Sequence, residues 1–248
     1  MNEFNIEELT ILADSGDHAA QAKLSIEFMI GKSVDYNLGK ALDYLEKAAE
    51  DIYTINSFYK SEREKNIPEA YFGLAMMWKH GWGVPESIER YSENIKSAAN
   101  LGFARAQYLL GLDYQSNIYG VKQDLHNSEF WLLKSLESGI TDAHLQLYHL
   151  YSAKNELYNI DKAIVHLRKS AESNDGMGQI YLGRHYLNGN PDSKGKIEAA
   201  MWFILAKKHN RWDVKEVDII KEKLIQKDWD EAIRQADNWL DRFNTNNK

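Results

Sequence analysis

Eight histidines are the side chains of this sequence best suited to hold a metal or move a proton near neutral pH, so their spacing comes first. A helical zinc site of the His-Glu-x-x-His kind needs two histidines on one face with a glutamate beside the first, and no such run occurs. His144 and His149 are five apart and fall on different faces of a helix. Gly31-Lys32-Ser33 carries the tripeptide that closes a phosphate-binding loop, but the place five before Gly31 is Ile26, and the segment ends a helix where such a loop must open one. Gly81-Trp82-Gly83 lacks the Lys-Ser/Thr ending altogether. No Gly-x-Ser-x-Gly elbow presents a serine nucleophile, and there is no cysteine to serve as one. Glu62 and Glu64 sit in the run Ser61-Glu62-Arg63-Glu64-Lys65, where a solvated surface explains two acids better than general acid–base work. The expectation is a protein with no catalytic residues, no metal and no cofactor, and so not an enzyme.

Composition narrows the class further. The chain has 248 residues, 44% hydrophobic and 27% charged, the balance of a globular protein able to bury a core. The 37 acids outnumber the 30 bases by seven, which opposes a phosphate backbone and argues against a nucleic-acid partner. Its start, Met1-Asn2-Glu3-Phe4, bears an acid where an export signal carries bases, and no apolar run is long enough to span a bilayer. With no cysteine to oxidise, the expectation is a cytoplasmic protein without membrane contact.

The elements that would position any functional side chain repeat along the sequence. A pattern of small residue, leucine four later and an aromatic four beyond recurs as Ala20/Leu24/Phe28, Ala70/Leu74/Trp78, Ala106/Leu110/Tyr114, Ala143/Leu147/Tyr151 and Gly178/Leu182/Tyr186. Its leucines are separated by 50, 36, 37 and 35 residues. A second landmark, a small residue four beyond a larger one, follows each copy at Ala48, Ala98, Ser135, Ser170 and Ala206, with intervals of 50, 37, 35 and 36. Residues spaced by four share a helical face, so each copy predicts an amphipathic helix whose small residue admits a close neighbour. Glycine-bearing turns such as Gly31-Lys32-Ser33-Val34 and Gly81-Trp82-Gly83-Val84 then return the chain in a second helix. Antiparallel pairs of this kind cannot cover their own apolar faces and must stack.

The residues Lys40-Ala41…Tyr44…Lys47-Ala48-Ala49, the turn Gly81-Trp82-Gly83-Val84 and the final Ala199-Ala200-Met201-Trp202…Ala206 resemble the Sel1-like repeat family, a branch of the tetratricopeptide-like solenoids. That resemblance spans roughly residues 13 to 210. It implies an all-α, right-handed α/α superhelical solenoid of about five helix-turn-helix repeats with terminal capping helices, and a role in holding other proteins as a scaffold or adaptor. The expected organisation is a single unit, 1–248, with repeats near 17–50, 67–100, 103–138, 140–173 and 176–210, an insertion at 51–66 and a helical cap at 212–243. Two copies depart from the family pattern: Lys154-Asn155-Glu156-Leu157 replaces the glycine turn in the fourth, and Arg90-Tyr91 replaces Lys-Ala in the second.

Two places are candidates for binding a partner. Along the first helices a chemically mixed row runs beside the repetitive apolar one, and its members Lys23, Glu27, Met77, His80, Asp113, Gln146, Tyr181 and His185 are assigned to an exposed concave face. The first interval exceeds the others by about 14 residues, and Tyr53, Phe58 and Tyr59 in that excess form the second candidate. The partner expected is a protein, a basic toxin or effector neutralised by an immunity protein being the narrowest form of that reading, with a regulatory or assembly subunit as the alternative.

Overall fold

A computed structural model describes residues 6–31, 34–48, 68–82, 84–116, 121–189, 192–210 and 214–246. Among them every regular element is a helix, thirteen in all. The chain divides into two compact units, Met1–Ile140 and Thr141–Lys248. The expected insertion at 51–66, with Tyr53, Phe58 and Tyr59, lies outside the described residues.

The first unit opens with α1 (Ile6–Asp14) and continues as three antiparallel pairs: α2 (His18–Ile30) with α3 (Leu38–Ala48), α4 (Pro68–His80) with α5 (Ile88–Asn100), and α6 (Ala104–Ser116) with α7 (Leu125–Glu137). The second unit holds α8 (Ala143–Ser152) against α9 (Ile160–Glu172) and α10 (Gly176–Gly189) against α11 (Ser193–Asn210), closed by α12 (Lys215–Lys223) and α13 (Gln226–Asn246) packed on α11. These bounds place the recurring leucines on the first helix of each pair. Leu24, Leu110, Leu147 and Leu182 are fully buried and Leu74 nearly so, while the second landmarks Ala48, Ala98, Ser135, Ser170 and Ala206 are buried on the second helices.

Small residues at these places are demanded by contact. A Cβ on Gly183 of α10 would come within 2.6 Å of the Phe203 ring on α11, and one on Gly178 would meet the backbone nitrogen of Ala171 at 2.8 Å. In the first unit a Cβ on Gly111 of α6 would lie 2.9 Å from Leu132 on α7. Helices that approach so closely bury their apolar stripes without voids.

Four of the five turns between first and second helix are closed by the same polar device. The backbone N–H of Asn37, Ser87, Asp124 and Asn159 donates to the carbonyl of the aromatic that ends the preceding stripe, Phe28, Trp78, Tyr114 and Tyr151, at 2.9–3.0 Å. The side chain of the same residue then accepts from a backbone N–H three residues on, in Lys40, Arg90, Asn127 and Lys162, and so caps the second helix. In the fourth pair, where the glycine turn is missing, Asn155 supplies the turn itself: its amide donates to the Leu150 carbonyl and its oxygen accepts from Leu157 N–H.

The turn from second helix to next first helix needs a left-handed residue, found at Gly16, Gly102, Gly139 and Asn174. Gly102 has φ of 94° and open space where a Cβ would stand. Substituting Gly102→Ala therefore tests conformation alone, and we expect a loss of about 1 kcal/mol in denaturant unfolding of the first unit. An unchanged midpoint would show that the turn tolerates another backbone path.

Candidate functional site

In three of the five pairs the first helix starts by tying itself to the helix before it. Gln21, Gln107 and Gln179, each one residue after the small residue of the stripe, are buried and donate through Nε2 to the carbonyls of Ala13, Ala99 and Ala171. These carbonyls end the preceding helix and already accept from the backbone N–H of Gly16, Gly102 and Asn174 in the turn, so each glutamine supplies a second donor to the same oxygen. At the same register α8 carries His144, whose Nδ1 meets His166 Nδ1 on α9 at 2.9 Å. One of the two nitrogens must carry the proton and the other accept it. Burial holds His144 below the usual histidine range, with the charge of Lys169 adding to the effect. No group of three or more potential metal ligands occurs among the described residues.

The mixed row of the first helices separates on inspection. Lys23 and Glu27 on α2 are half-buried, and His80 at the end of α4 is exposed, stacked at 4.9 Å on Trp82. Burial against its neighbours holds the His80 imidazole below its ordinary range, aided by Lys79 and opposed by Glu86 and Glu46. Met77 and Asp113 do not lie on an exposed face as expected: Met77 is fully buried and Asp113 is 5% exposed. The reason differs for each. Met77 belongs to the apolar cluster that joins α4 to α5, whereas the Asp113 carboxylate accepts a 2.6 Å hydrogen bond from the buried Tyr91 hydroxyl across the α5–α6 junction. Neither side chain is presented to a partner in this conformation.

In the second unit, Tyr181 and His185 are brought together, while Gln146 is half-buried on α8 outside their pocket. That pocket, about 480 Å³ and open to solvent, is lined by Tyr148 of α8 with Tyr181, Arg184, His185, Asn188 and Gly189 of α10. It forms where side chains of two successive first helices meet: the Tyr148 and Tyr181 rings lie 5.7 Å apart, and His149 packs edge-on to Tyr181 at 5.4 Å. Burial pushes the Tyr148 phenol up, with Tyr181 contributing, and holds the His149 imidazole down, against the opposing pull of Asp175. Arg184 lies over the Tyr181 ring at 5.8 Å and is braced by Glu216 of α12, which accepts from both Nε and Nη2. That bond holds the Glu216 carboxyl below its usual range. Tyr148, Arg184 and Asn188 escaped the sequence reading because they stand outside the positions counted as variable. Only the face shared by α8 and α10 reveals them.

The lining side chains offer ring faces, hydrogen-bond donors and a cation. The chain is similar to a Sel1 repeat protein of Oxalobacter formigenes, with 22% identity over 97% of this chain and 99% of the other and a TM-score of 0.63. It also matches a protective antigen of uropathogenic Escherichia coli with an SLR fold (16% identity, 96% and 72% covered, TM-score 0.37) and the immunity protein Pa5087 of Pseudomonas aeruginosa (19% identity, 92% and 75% covered, TM-score 0.39). The first of these supports the solenoid fold, and the other two are too distant in shape to carry a role over. No curated protein sequence matches the chain. The model of the Sel1 repeat matches residues 18–51, 68–90, 104–140, 147–175 and 176–210, which is most of the sequence with one match to each observed helix pair, so this all-α repeat protein belongs to the Sel1 repeat family.

Proposed function

We propose that the chain is a non-enzymatic protein-interaction scaffold that holds a partner protein on the exposed surface of its first helices. Sel1 repeats serve protein binding in general. The observation that carries the reading here is the open pocket between α8 and α10, where Tyr148, Tyr181, Arg184 and His185 gather on a rigid helical platform without any catalytic grouping. Preformed sites of this kind spend little ordering entropy on binding. Lys23, Glu27, His80 and Gln146 belong to the same reading as surface positions on other first helices. Met77 and Asp113 enter it only as supports of that surface.

An immunity protein that caps a basic toxin is the narrower form, and it draws on the distribution of charge. The net charge is -7, and α13 alone carries Asp228, Asp230, Glu231, Asp237 and Asp241. A regulatory or assembly subunit is the alternative. Both place the protein in the cytoplasm, in keeping with its lack of cysteine. Among the described residues no helix is long and apolar enough to cross a membrane.

The test is affinity capture with the tagged full chain from its own organism, comparing wild type, His185→Glu, Asn188→Arg and the control Val165→Arg on the second helix α9. We expect one protein in stoichiometric amount with wild type and control, and roughly tenfold less with either pocket variant. A capture empty above background, or one abolished by Val165→Arg and untouched by the pocket variants, would contradict the reading.

A further inference from the structure

The two helices that build the pocket share a property that no other described helix has. The chain carries 37 acids, yet neither α8 nor α10 contains a single Asp or Glu. Of the lining side chains, Arg184 can only donate hydrogen bonds, and Tyr148, Tyr181, His185 and Asn188 can each donate at least one. Among the described residues no hydrogen bond uses the hydroxyl of Tyr148 or Tyr181, the ring nitrogens of His185 or the amide of Asn188. Donors left unspent around a cation, beside two ring faces, form a surface complementary to an acceptor-rich anion on a short apolar stem.

We infer that the pocket between α8 and α10 anchors an acidic side chain, Asp or Glu, of an extended segment of the partner protein. Resting on the scaffold role proposed above, the inference names the chemistry that this site selects. The carboxylate is placed against Arg184 and His185, and the methylene stem and its neighbours lie on the rings of Tyr148 and Tyr181. Glu216 does not compete for the anchor. By taking Nε and Nη2 it orients the guanidinium beside Tyr181 and leaves the remaining N–H groups to donate elsewhere, so that less side-chain entropy is spent on arranging the fork at the moment of binding. Glu216, the acid that reaches a lining side chain, is spent on Arg184, while α13 carries five acids away from the lining, so overall charge and pocket chemistry act on different parts of a partner.

The probe is a blocked decapeptide alternating glutamate with alanine, titrated into the isotopically labelled full chain, with a lysine–alanine decapeptide and a ten-base oligothymidylate as controls. The expected result is a set of amide shifts centred on residues 181–189 and 148 with the glutamate peptide alone. Arg184→Gln should weaken binding by about tenfold or more, as loss of a charged hydrogen-bond partner does. Tyr181→Phe, which keeps the ring and its packing, should weaken it by a smaller factor, so the inference stays open to test if Arg184→Gln perturbs the fold. Shifts that ignore Arg184→Gln and Tyr181→Phe, lysine-peptide shifts at the same amides, or tighter binding by the oligonucleotide there would each overturn the inference. Failure here leaves the scaffold reading intact if His185→Glu still abolishes capture of the natural partner. Both readings fail together only if capture is also lost as a distinguishable signal.

Discussion

Phe203→Ala is expected to lower the stability of the second unit by about 3–5 kcal/mol, the largest effect of any single change considered, because the side chain is fully buried and its ring fills the space that Gly183 leaves open. The partner substitution acts in the opposite sense. Gly183→Ala adds one methyl group against a ring 2.6 Å away, costing about 1–3 kcal/mol of overpacking against a gain of about 1 kcal/mol in helix propensity. Combined with Phe203→Leu, which withdraws the ring edge, Gly183→Ala should become neutral or stabilising. Denaturant unfolding of the four proteins of that cycle gives the coupling directly, and strictly additive effects would mean that the α10–α11 approach is not set by this contact.

At the α5–α6 junction, Tyr91→Phe is expected to cost about 1.5–3 kcal/mol at neutral pH, since it removes the donor that satisfies the buried Asp113 carboxylate. The pH dependence follows from the direction of the Asp113 shift. Burial raises its pKa, more than the Tyr91 hydrogen bond and the Lys79 charge lower it. A carboxyl that holds its proton more tightly when folded favours the fold most below the unfolded value, and that contribution is lost as pH rises through the folded value. The first unit should therefore gain on Asp113→Asn as pH climbs from about 4, with wild type and variant closest at the acid end. In the Tyr91→Phe background the same substitution should gain more. A difference that shrinks as pH rises would mean that Asp113 is stabilised as an anion, and the reading of this junction would be wrong.

The sequence shows some of these features and hides others for identifiable reasons. The leucines at 24, 74, 110, 147 and 182 are legible because burial of one helical stripe imposes the same residue at the same place in every pair, and apolar periodicity survives without knowledge of neighbours. Gly183 is legible as small, although the ring that requires it is 20 residues away on another helix. Polar positions behave differently. Gln21, Gln107 and Gln179 recur in register one residue after the small residue, but glutamine reads as surface until the helix-end carbonyl it bonds is known. Asp113 was expected on an exposed row for the same reason, and its pairing with Tyr91, 22 residues earlier, is invisible to local spacing.

Of the candidate site, Tyr181 and His185 were readable as members of a variable row, but the pocket was not. Tyr148 reaches it from α8, and Arg184 is held by Glu216 from α12, so its composition depends on three helices at once. The absence of acids from α8 and α10 was open to inspection all along. It gains meaning only when those two helices are seen to face one opening.

The central claim is that a protein partner is held at this opening, and site-specific photocrosslinking tests it most directly. A benzoylphenylalanine introduced at Asn188 of the full chain, and separately at Val165 on α9, would be irradiated in cells of the source organism. The account predicts a discrete crosslinked partner from position 188, absent from position 165 and lost when Arg184→Gln is added. Crosslinks to one protein from position 165 alone, or none from position 188 in cells where the chain is abundant, would contradict it.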